Sequence, residues 1–358
     1  MLQVIQLTPP GRGAVATLRV QGPDALAALQ THFHTRSGQA LDAYPADRIV
    51  VGHFGGPDGE QVVLRRHGRD TVDLHCHGGL AAVAQIEQTL VKCGCQAVRW
   101  RDWAANESDP IAAAALLALA DARTERTAAI LLDQYQGALR RAIDDVRRAA
   151  DRGDTDAARR QIDLLLSRAV LGRHLVRPWT VVLAGRPNAG KSSLMNALAG
   201  HERSIVHHAP GTTRDAVTLD TAIDGWPVQL CDTAGLREVS DPLESAGIAM
   251  ARRRLGQADL VVLVGDLSRP WSEEDQKLRD QWPEALLVHN KSDLGIPPSG
   301  RPAGLPVSAL RDDGIDMLLE AIARRLMPES PPPGAAVPFT TEQEKQIRTL
   351  AEGFGVGP

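Results

Sequence analysis

The sequence predicts an α/β domain, a mixed sheet with helices on both faces, which follows a smaller α+β domain. Residues 181–184 are apolar and typical of a buried strand, and a glycine-rich loop and a helical stretch come directly after them. Two further apolar runs, 228–231 and 285–288, also end in clusters of polar residues. Before residue 110, strands and helices mix without regular alternation, which favours an α+β arrangement there.

Composition and periodicity divide the chain into four regions. They are an N-terminal α+β domain at 1–110, a shortened helical domain at 111–177, the α/β domain at 178–328, and a Pro-rich linker with a residual helix at 329–358. In the first region we expect strands at 2–7, 14–20, 49–54, 61–65, 71–77 and 96–100, and helices at 25–32 and 80–92. The helical domain is expected to be a hairpin of two helices, 111–150 and 156–171.

The overall composition is that of a globular protein. The chain has 358 residues, of which 43% are hydrophobic and 23% are charged. Its formal net charge of −4 gives no general basic field, so any RNA contact would be local. The four cysteines are expected to be reduced thiols. Because neither a long apolar span nor a signal peptide is recognisable, we expect a cytoplasmic protein without membrane contact.

The strongest motif is a phosphate-binding loop. Residues 185–192, GRPNAGKS, fit G-x-x-x-x-G-K-[ST] between a predicted strand and a predicted helix. Lys191 is expected to reach the β- and γ-phosphates as a catalytic group, and the Ser192 hydroxyl to bind Mg²⁺. Backbone N–H groups around the turn and at the helix N-terminus would surround the phosphate oxygens. The remaining residues expected in this cradle are Asn188, Ala189, Gly190 and Ser193.

Two later segments predict recognition of guanine. Residues 290–293, NKSD, follow a predicted strand. The Asp293 carboxylate would accept hydrogen bonds from the N1–H and 2-amino groups of guanine, which adenine does not offer, while Asn290 and Lys291 brace the loop. Ser308 and Ala309 belong to the second segment, in which the Ala309 N–H would donate to guanine O6.

Two more segments complete the expected phosphate and metal site. Asp232 begins the sequence DTAG at 232–235 and would hold Mg²⁺ through water, while the Gly235 N–H would contact the γ-phosphate. Thr213, in GTTRD at 211–215, is the candidate second protein ligand of Mg²⁺ and a catalytic candidate. Because five motifs occur in this order, we predict that the domain binds GTP and GDP. The alternative is a degenerate domain that binds the nucleotide but does not hydrolyse it.

The order and the residues of these motifs resemble those of the MnmE (TrmE) family of tRNA modification GTPases. Further matches to that family are residues 9–19, 72–79, 136–139 and 232–244. The resemblance implies a GTPase that acts in tRNA wobble-uridine modification as a homodimer joined through its N-terminal and G domains. It also implies an FAD-dependent MnmG-type partner and tRNA. The alternatives are a non-catalytic nucleotide-dependent scaffold and an Era-like ribosome assembly GTPase.

The resemblance also implies how GTP would be hydrolysed. Leu236 occupies the position after DTAG at which Ras-type enzymes have a water-positioning Gln, and a leucine side chain cannot hydrogen-bond to water. The family instead uses a Glu that matches Glu244, for which a solvated helix charge is the alternative. In that family K⁺ lies beside the phosphates, and here it would be bound by Asn188, by Thr212 and by the backbone carbonyls near His207 and Ala209. Thr212 would also contact GTP. The alternative for Asn188 is a simple turn residue.

The N-terminal domain of that family binds a formyl-tetrahydrofolate through an Arg, a Glu and a Lys. Arg19 matches the Arg and Asp73 stands in place of the Glu, but residues 99–106 replace the loop that carries the Lys. The family's terminal Cys-Ile-Gly-Lys is not matched either. We therefore expect folate binding to be weak, and any tRNA role to be regulatory or to depend on a second, complete protein.

Three smaller patterns have two interpretations each. His75 and His77 are expected on one side of a strand, near three cysteines in sequence. They could form a metal site, or they could be ordinary strand-end residues. Arg12, in the turn at 9–13, could approach an anion or belong to a plain tight turn. The arginines of the helical hairpin could form an RNA surface, although a solvated face is the simpler interpretation.

Overall fold

The computed structural model describes residues 1–11, 13–56, 58–201, 218–232, 258–295 and 300–353. The chain forms two compact units, Met1–Ala113 and Ala114–Pro358. Helices and strands are numbered below in chain order over the described residues.

A sheet forms the centre of the first unit. Its strands are β1 Gln3–Gln6, β2 Val15–Gln21, β3 Phe33–Thr35, β4 Ile49–Phe54, β5 Glu60–Arg66, β6 Thr71–His77 and β7 Gln96–Val98. Their order is β3-β4-β5-β6-β2-β1-β7, and the β1–β7 pair is parallel while the other pairs are antiparallel. The helices are α1 Ala25–Gln30, α2 Leu80–Lys92 and α3 Trp100–Ala104. The expectation that Trp100 ends a strand is wrong, since it begins α3.

Strand alternation separates a core face from a polar face in this sheet. Ala16, Leu18 and Val20 of β2 are buried and join one hydrophobic cluster with residues of α1 and α2. The opposite face therefore presents Arg19, which lies directly across from Asp73 on β6.

Four helices occupy residues 110–173. They are α4 Pro110–Leu119, α5 Glu125–Tyr135, α6 Ala138–Asp151 and α7 Thr155–Arg173. The single helix expected over 111–150 is wrong, because Thr124 caps the start of α5 with its side chain and Gly137, at φ 92°, begins α6. The hairpin itself is confirmed, as α6 and α7 pack together.

The α/β domain contains a mixed sheet, as expected. Its strands are β8 Trp179–Ala184, β9 Thr218–Ile223, β10 Trp226–Asp232, β11 Leu260–Asp266, β12 Leu286–Asn290 and β13 Leu305–Pro306, and its helices are α8 Lys191–His201, α9 Glu273–Gln281 and α10 Ile315–Leu326. The order is β13-β12-β11-β8-β10-β9, and among these pairs only β9–β10 is antiparallel. The parallel strands end at one edge, which brings the motifs after β8, β10 and β12 together.

The chain after the α/β domain returns to the helices that precede it. Helix α11, Thr341–Gly353, packs on α7. Val337 is fully buried just before α11, and the buried Gln134 side chain of α5 donates to the Ala335 carbonyl at 3.0 Å and accepts from the Val337 N–H at 3.1 Å. Part of the stretch expected as a linker is therefore packed against α5.

Candidate nucleotide-binding site

The loop between β8 and α8 has the backbone shape of a phosphate cradle. Asn188 and Gly190 have φ values of 63° and 86°. A Cβ atom on Gly190 would lie 2.3 Å from the Asn290 side-chain nitrogen, so this position requires glycine. Ala189 is buried between them, whereas Ser193 is exposed in the first turn of α8. The N-terminus of α8, which favours anions, opens directly onto this loop.

Lys191 is held inside the loop. Its side chain is 4% exposed, and its Nζ donates to the Arg186 carbonyl oxygen at 3.0 Å. A buried ammonium beside backbone N–H groups suits a polyanion such as a nucleotide phosphate chain.

A hydroxyl and a carboxylate meet beside the cradle. Ser192 Oγ donates to Asp232 Oδ2 at 2.5 Å, and Asp232 is 2% exposed at the end of β10. Parallel pairing of β10 with β8, with Asp232 opposite Leu183, sets this approach. Both groups are hard oxygen donors of the type that Mg²⁺ prefers, so the residues fit that ion.

Asn290 joins the phosphate loop to both base-side segments. Its buried Nδ2 donates to the Ala189 carbonyl at 3.1 Å and makes a longer contact with the Gly190 carbonyl at 3.4 Å. Its Oδ1 accepts from the N–H groups of Lys291 at 2.8 Å and Ala309 at 3.1 Å. A single amide thus fixes three loops that are distant in sequence.

Lys291 forms a second bridge, to a residue that the sequence analysis missed. The Lys291 backbone has a φ of 65°. Its side-chain Nζ donates to the Asn188 carbonyl oxygen and to Asp266 Oδ2, both at 2.7 Å. Burial alone would raise the pKa of Asp266, but hydrogen bonds from Lys291 and Ser268 outweigh it and hold that pKa below its usual value. Asp266 ends β11 after an apolar run, the same signal that marks Asp232 and Asn290.

The Asp293 carboxylate, which is expected to bind guanine, accepts a hydrogen bond from a buried hydroxyl. Ser308, which is fully buried, donates through Oγ to Asp293 Oδ1 at 2.7 Å. This hydrogen bond lowers the pKa of Asp293, so the carboxylate is ionised at neutral pH and can accept from the guanine edge.

Several expected residues lie outside the described part of the chain. They are Arg12, His207, Ala209, Thr212, Thr213, Gly235, Leu236 and Glu244. Of the expected K⁺ site, only Asn188 is described: its side chain is exposed, and its carbonyl oxygen is bound to Lys291. An amide oxygen is a hard donor that suits K⁺.

In the first unit, Arg19 and Asp73 bind each other. Asp73 accepts from Arg19 Nε at 2.7 Å and Nη2 at 2.9 Å, and from His67 Nε2 at 2.7 Å. Burial alone would raise the pKa of Asp73, but Arg19 and His67 together lower it. Trp103 of α3 lies 5.7 Å from the Arg19 guanidinium and donates to Gln21 at 2.9 Å.

This arrangement does not fit a folate as it stands. A pterin edge pairs two N–H donors with both oxygens of a carboxylate, which offers about four acceptor positions. Three positions on Asp73 are already used by Arg19 and His67. A formyl-tetrahydrofolate would have to displace one of them.

The histidines of β6 have ordinary partners. His75 Nδ1 lies 2.9 Å from Thr17 Oγ1, and His77 Nδ1 lies 2.5 Å from Glu60. Within the described ranges, no group of three or more His, Cys, Asp or Glu side chains is arranged to hold a metal ion. None of the helices in the described part of the chain is both long and apolar enough to cross a bilayer.

Two protein-family models match this chain, one within each unit. Residues 180–291 match a family model described as 50S ribosome-binding GTPase, and residues 4–100 match one described as GTP-binding protein TrmE N-terminus. A crystal structure of Era from Aquifex aeolicus is 28% identical, with a TM-score of 0.33 over 43% of this chain and 58% of that one.

Two curated relatives are both named tRNA modification GTPase MnmE. The protein of Synechococcus sp. (strain RCC307) is 33% identical over 88% of this chain and 78% of its own length. That of Methylobacterium radiotolerans is 36% identical over 87% of this chain and 79% of its own length. The chain therefore belongs to the MnmE family of tRNA modification GTPases.

Proposed function

We propose that this chain binds GTP with Mg²⁺, hydrolyses it to GDP and phosphate, and serves tRNA wobble-uridine modification. The observation that supports the nucleotide site best is the buried amide of Asn290, which joins the phosphate loop to both base-side segments. The three segments that it joins meet at one edge of the sheet, where a bound nucleotide would contact all of them.

Each part of the site has one task in this proposal. Lys191 and the N–H groups of the loop bind the β- and γ-phosphates, and Asp293 reads the guanine edge. Ser192 and Asp232 hold Mg²⁺, Asp232 through water, with Thr213 as a further ligand. The ion supplies positive charge that stabilises the charge developing on the phosphate oxygens.

The base assignment is tested by nucleotide titration. The wild-type chain should prefer GDP to ADP by about 10³-fold or more, because the Asp293 carboxylate can pair with the N1–H and 2-amino groups of guanine and finds no such partner on adenine. Asp293→Asn should lose most of this preference. Asp312→Asn, an exposed carboxylate on the neighbouring segment, is the matched control. Equal affinity of the wild type for both nucleotides would refute the assignment.

Hydrolysis is proposed to use Glu244 to orient water and K⁺ beside Asn188 to supply positive charge. Turnover should be faster in K⁺ than in Na⁺, and Asn188→Ala should remove the difference. Asn188→Gly should do the same without backbone strain, since glycine accepts φ 63°. Glu244→Ala should slow turnover about 10²-fold at unchanged GTP affinity. Equal rates in both salts would exclude the cation.

The tRNA role extends to a homodimer, an FAD-dependent MnmG-type partner and tRNA itself. Because Asp73 is already bound by Arg19 and His67, we expect formyl-tetrahydrofolate to bind weakly. The test is expression in a cell that lacks its own MnmE, with wobble uridines measured by nucleoside mass spectrometry. Full restoration by the wild type but not by Lys191→Ala would support a direct catalytic role and refute the expectation that the chain needs a second, complete protein; absence of restoration would leave only a regulatory or dependent role.

A further inference from the structure

A buried histidine lies immediately before the base-binding loop. His289 is 3% exposed on β12, and its Nε2 is 2.9 Å from the Pro302 carbonyl oxygen. The ring fits closely between two glycines: a Cβ atom on Gly304 would lie 2.9 Å from Nε2, and one on Gly265 would lie 3.3 Å from Nδ1. The edge of Trp271 closes a further side, with ring centroids 5.8 Å apart.

These contacts define the protonation state of the ring. A carbonyl oxygen only accepts, so Nε2 carries the hydrogen and Nδ1 is left as an acceptor. Nδ1 faces Arg301 Nη1 at 3.5 Å, and the charged groups near the ring are Arg301 and Asp275 of α9. A second proton would place an N–H against the guanidinium. Burial, the largest cause, lowers the pKa of His289, in agreement with this geometry.

The same arginine holds the loop that follows β11. Nη2 of Arg301 donates to the carbonyl oxygens of Arg269 at 2.5 Å and Leu267 at 3.3 Å, and Nη1 lies 3.5 Å from that of Asp266. From the other side, the Leu267 N–H donates to the Asn290 carbonyl at 2.8 Å. Residues 266–269 are thereby fixed between Arg301 and the base-binding loop.

This loop is connected to the phosphate site through side chains. Asp266 binds Lys291, and Lys291 binds the Asn188 carbonyl of the phosphate loop, both at 2.7 Å. A continuous chain of hydrogen bonds therefore connects Arg301 to the phosphate loop through residues 266–269 and Lys291. Its planar fork suits several carbonyls at once, whereas the single ammonium of a lysine does not.

We propose that Arg301 and the neutral ring of His289 are positioning residues of the guanine nucleotide site. They hold residues 266–269, and through Asp266 and Lys291 they set the distance between the base-binding loop and the phosphate loop. The inference rests on guanine nucleotide binding at this site. In this proposal both side chains act on nucleotide affinity through the loops that they hold and not by direct contact.

The test measures binding of a fluorescent GDP analogue to the full chain with Mg²⁺. At pH 7.5, Arg301→Ala should weaken affinity about tenfold because it leaves several carbonyls without a donor. Arg301→Lys should recover part of the loss. For GTP turnover, KM should rise in Arg301→Ala while kcat at saturation stays within about twofold. Arg325→Ala, an exposed arginine of α10, is the matched control.

The pH profile separates positioning from a merely structural role. His289→Gln keeps an N–H donor for Pro302 but cannot gain a proton. At pH 7.5 its loss of affinity relative to the wild type should be smaller than that of Arg301→Ala. As pH falls below 6.5, the ordinary imidazole pKa, wild-type affinity should fall relative to His289→Gln, because a charged ring no longer accepts beside Arg301; since burial lowers the pKa of His289, the fall should begin at more acid pH than for an exposed histidine. Titration of the nucleotide cancels in this ratio, and His53→Gln controls for a histidine elsewhere.

Three results would overturn the inference. Arg301→Ala could bind the analogue as tightly as the wild type, or the profiles of the wild type and His289→Gln could be parallel. A wild-type chain that does not bind the analogue at pH 7.5 would refute guanine nucleotide binding and the inference together. If Arg301→Ala does not fold, Arg301→Lys and His289→Gln decide the outcome.

Discussion

Replacing Gln134 by alanine tests how firmly the chain after the α/β domain is attached to the helices before it. The amide of Gln134 is fully buried and pairs with the Ala335 carbonyl and the Val337 N–H. The substitution leaves both backbone groups without this partner, at about 1–3 kcal/mol each, and leaves a small void. We therefore expect a loss of about 3 kcal/mol in the free energy of unfolding.

Two measurements follow this loss. For a unit of this size, about 3 kcal/mol lowers the Tm by roughly 6–12 °C, which circular dichroism at 222 nm detects. Hydrogen exchange of the Val337 amide should accelerate about 100-fold, since each 1.4 kcal/mol is a factor of ten. Gln134→Glu would bury a carboxylate against the Ile130 and Ala335 carbonyl oxygens, so at pH 7 it should melt no higher than Gln134→Ala.

The matched control is Gln136→Ala, on an exposed glutamine just beyond the end of α5. It should melt within about 1–2 °C of the wild type, as surface substitutions usually do. If Gln134→Ala melts no lower than this control and Val337 exchanges at the wild-type rate, then the buried amide does not fasten the returning segment.

Three further outcomes are expected. Ser192→Ala should abolish the effect of Mg²⁺ removal on GDP affinity, whereas Ser193→Ala on the exposed neighbouring hydroxyl should keep it; a persistent Mg²⁺ effect in Ser192→Ala would exclude this ligand. Asp73→Asn should destabilise the first unit by about 2 kcal/mol at pH 7. Because the pKa of Asp73 is lowered in the folded chain, this contribution is complete above its unfolded value of about 3.9 and is lost as pH falls through the folded pKa, so the stabilities of wild type and variant in urea titrations should converge as the pH is lowered below about 3.9. Iodoacetamide at pH 8 should modify exposed Cys93 first and leave Cys76 intact, since burial and the nearby Glu60 raise the Cys76 pKa to about 11; equal labelling, read by peptide mass spectrometry, would contradict the burial of Cys76.

The sequence was informative where a local pattern determines the structure. The loop at 185–192 could be placed between β8 and α8 because its glycines, lysine and flanking apolar run all lie within a few residues. The mixed sheet could be predicted for the same reason. Helix α3 could not, since five residues with two tryptophans after a short strand give no periodicity to detect.

Side-chain pairings between distant segments could not be predicted from the sequence. The bond between Lys291 and Asp266 spans two neighbouring strands, and nothing in either segment alone indicates it. The mutual binding of Arg19 and Asp73 depends on the register of β2 against β6, which a single sequence does not define. Both side chains were identified as candidates, yet their use of each other became evident only from the fold.

The contact between Gln134 and Ala335 also affects how the chain is made. Their sequence separation is 201 residues, and the whole α/β domain lies between them. At about 5–20 residues per second, a ribosome needs roughly 10–40 s to synthesise that interval. During this time Gln134 of α5 lacks its partners Ala335 and Val337, and α7 lacks α11. The helices before the α/β domain can therefore complete this part of their packing only after the whole α/β domain has been synthesised.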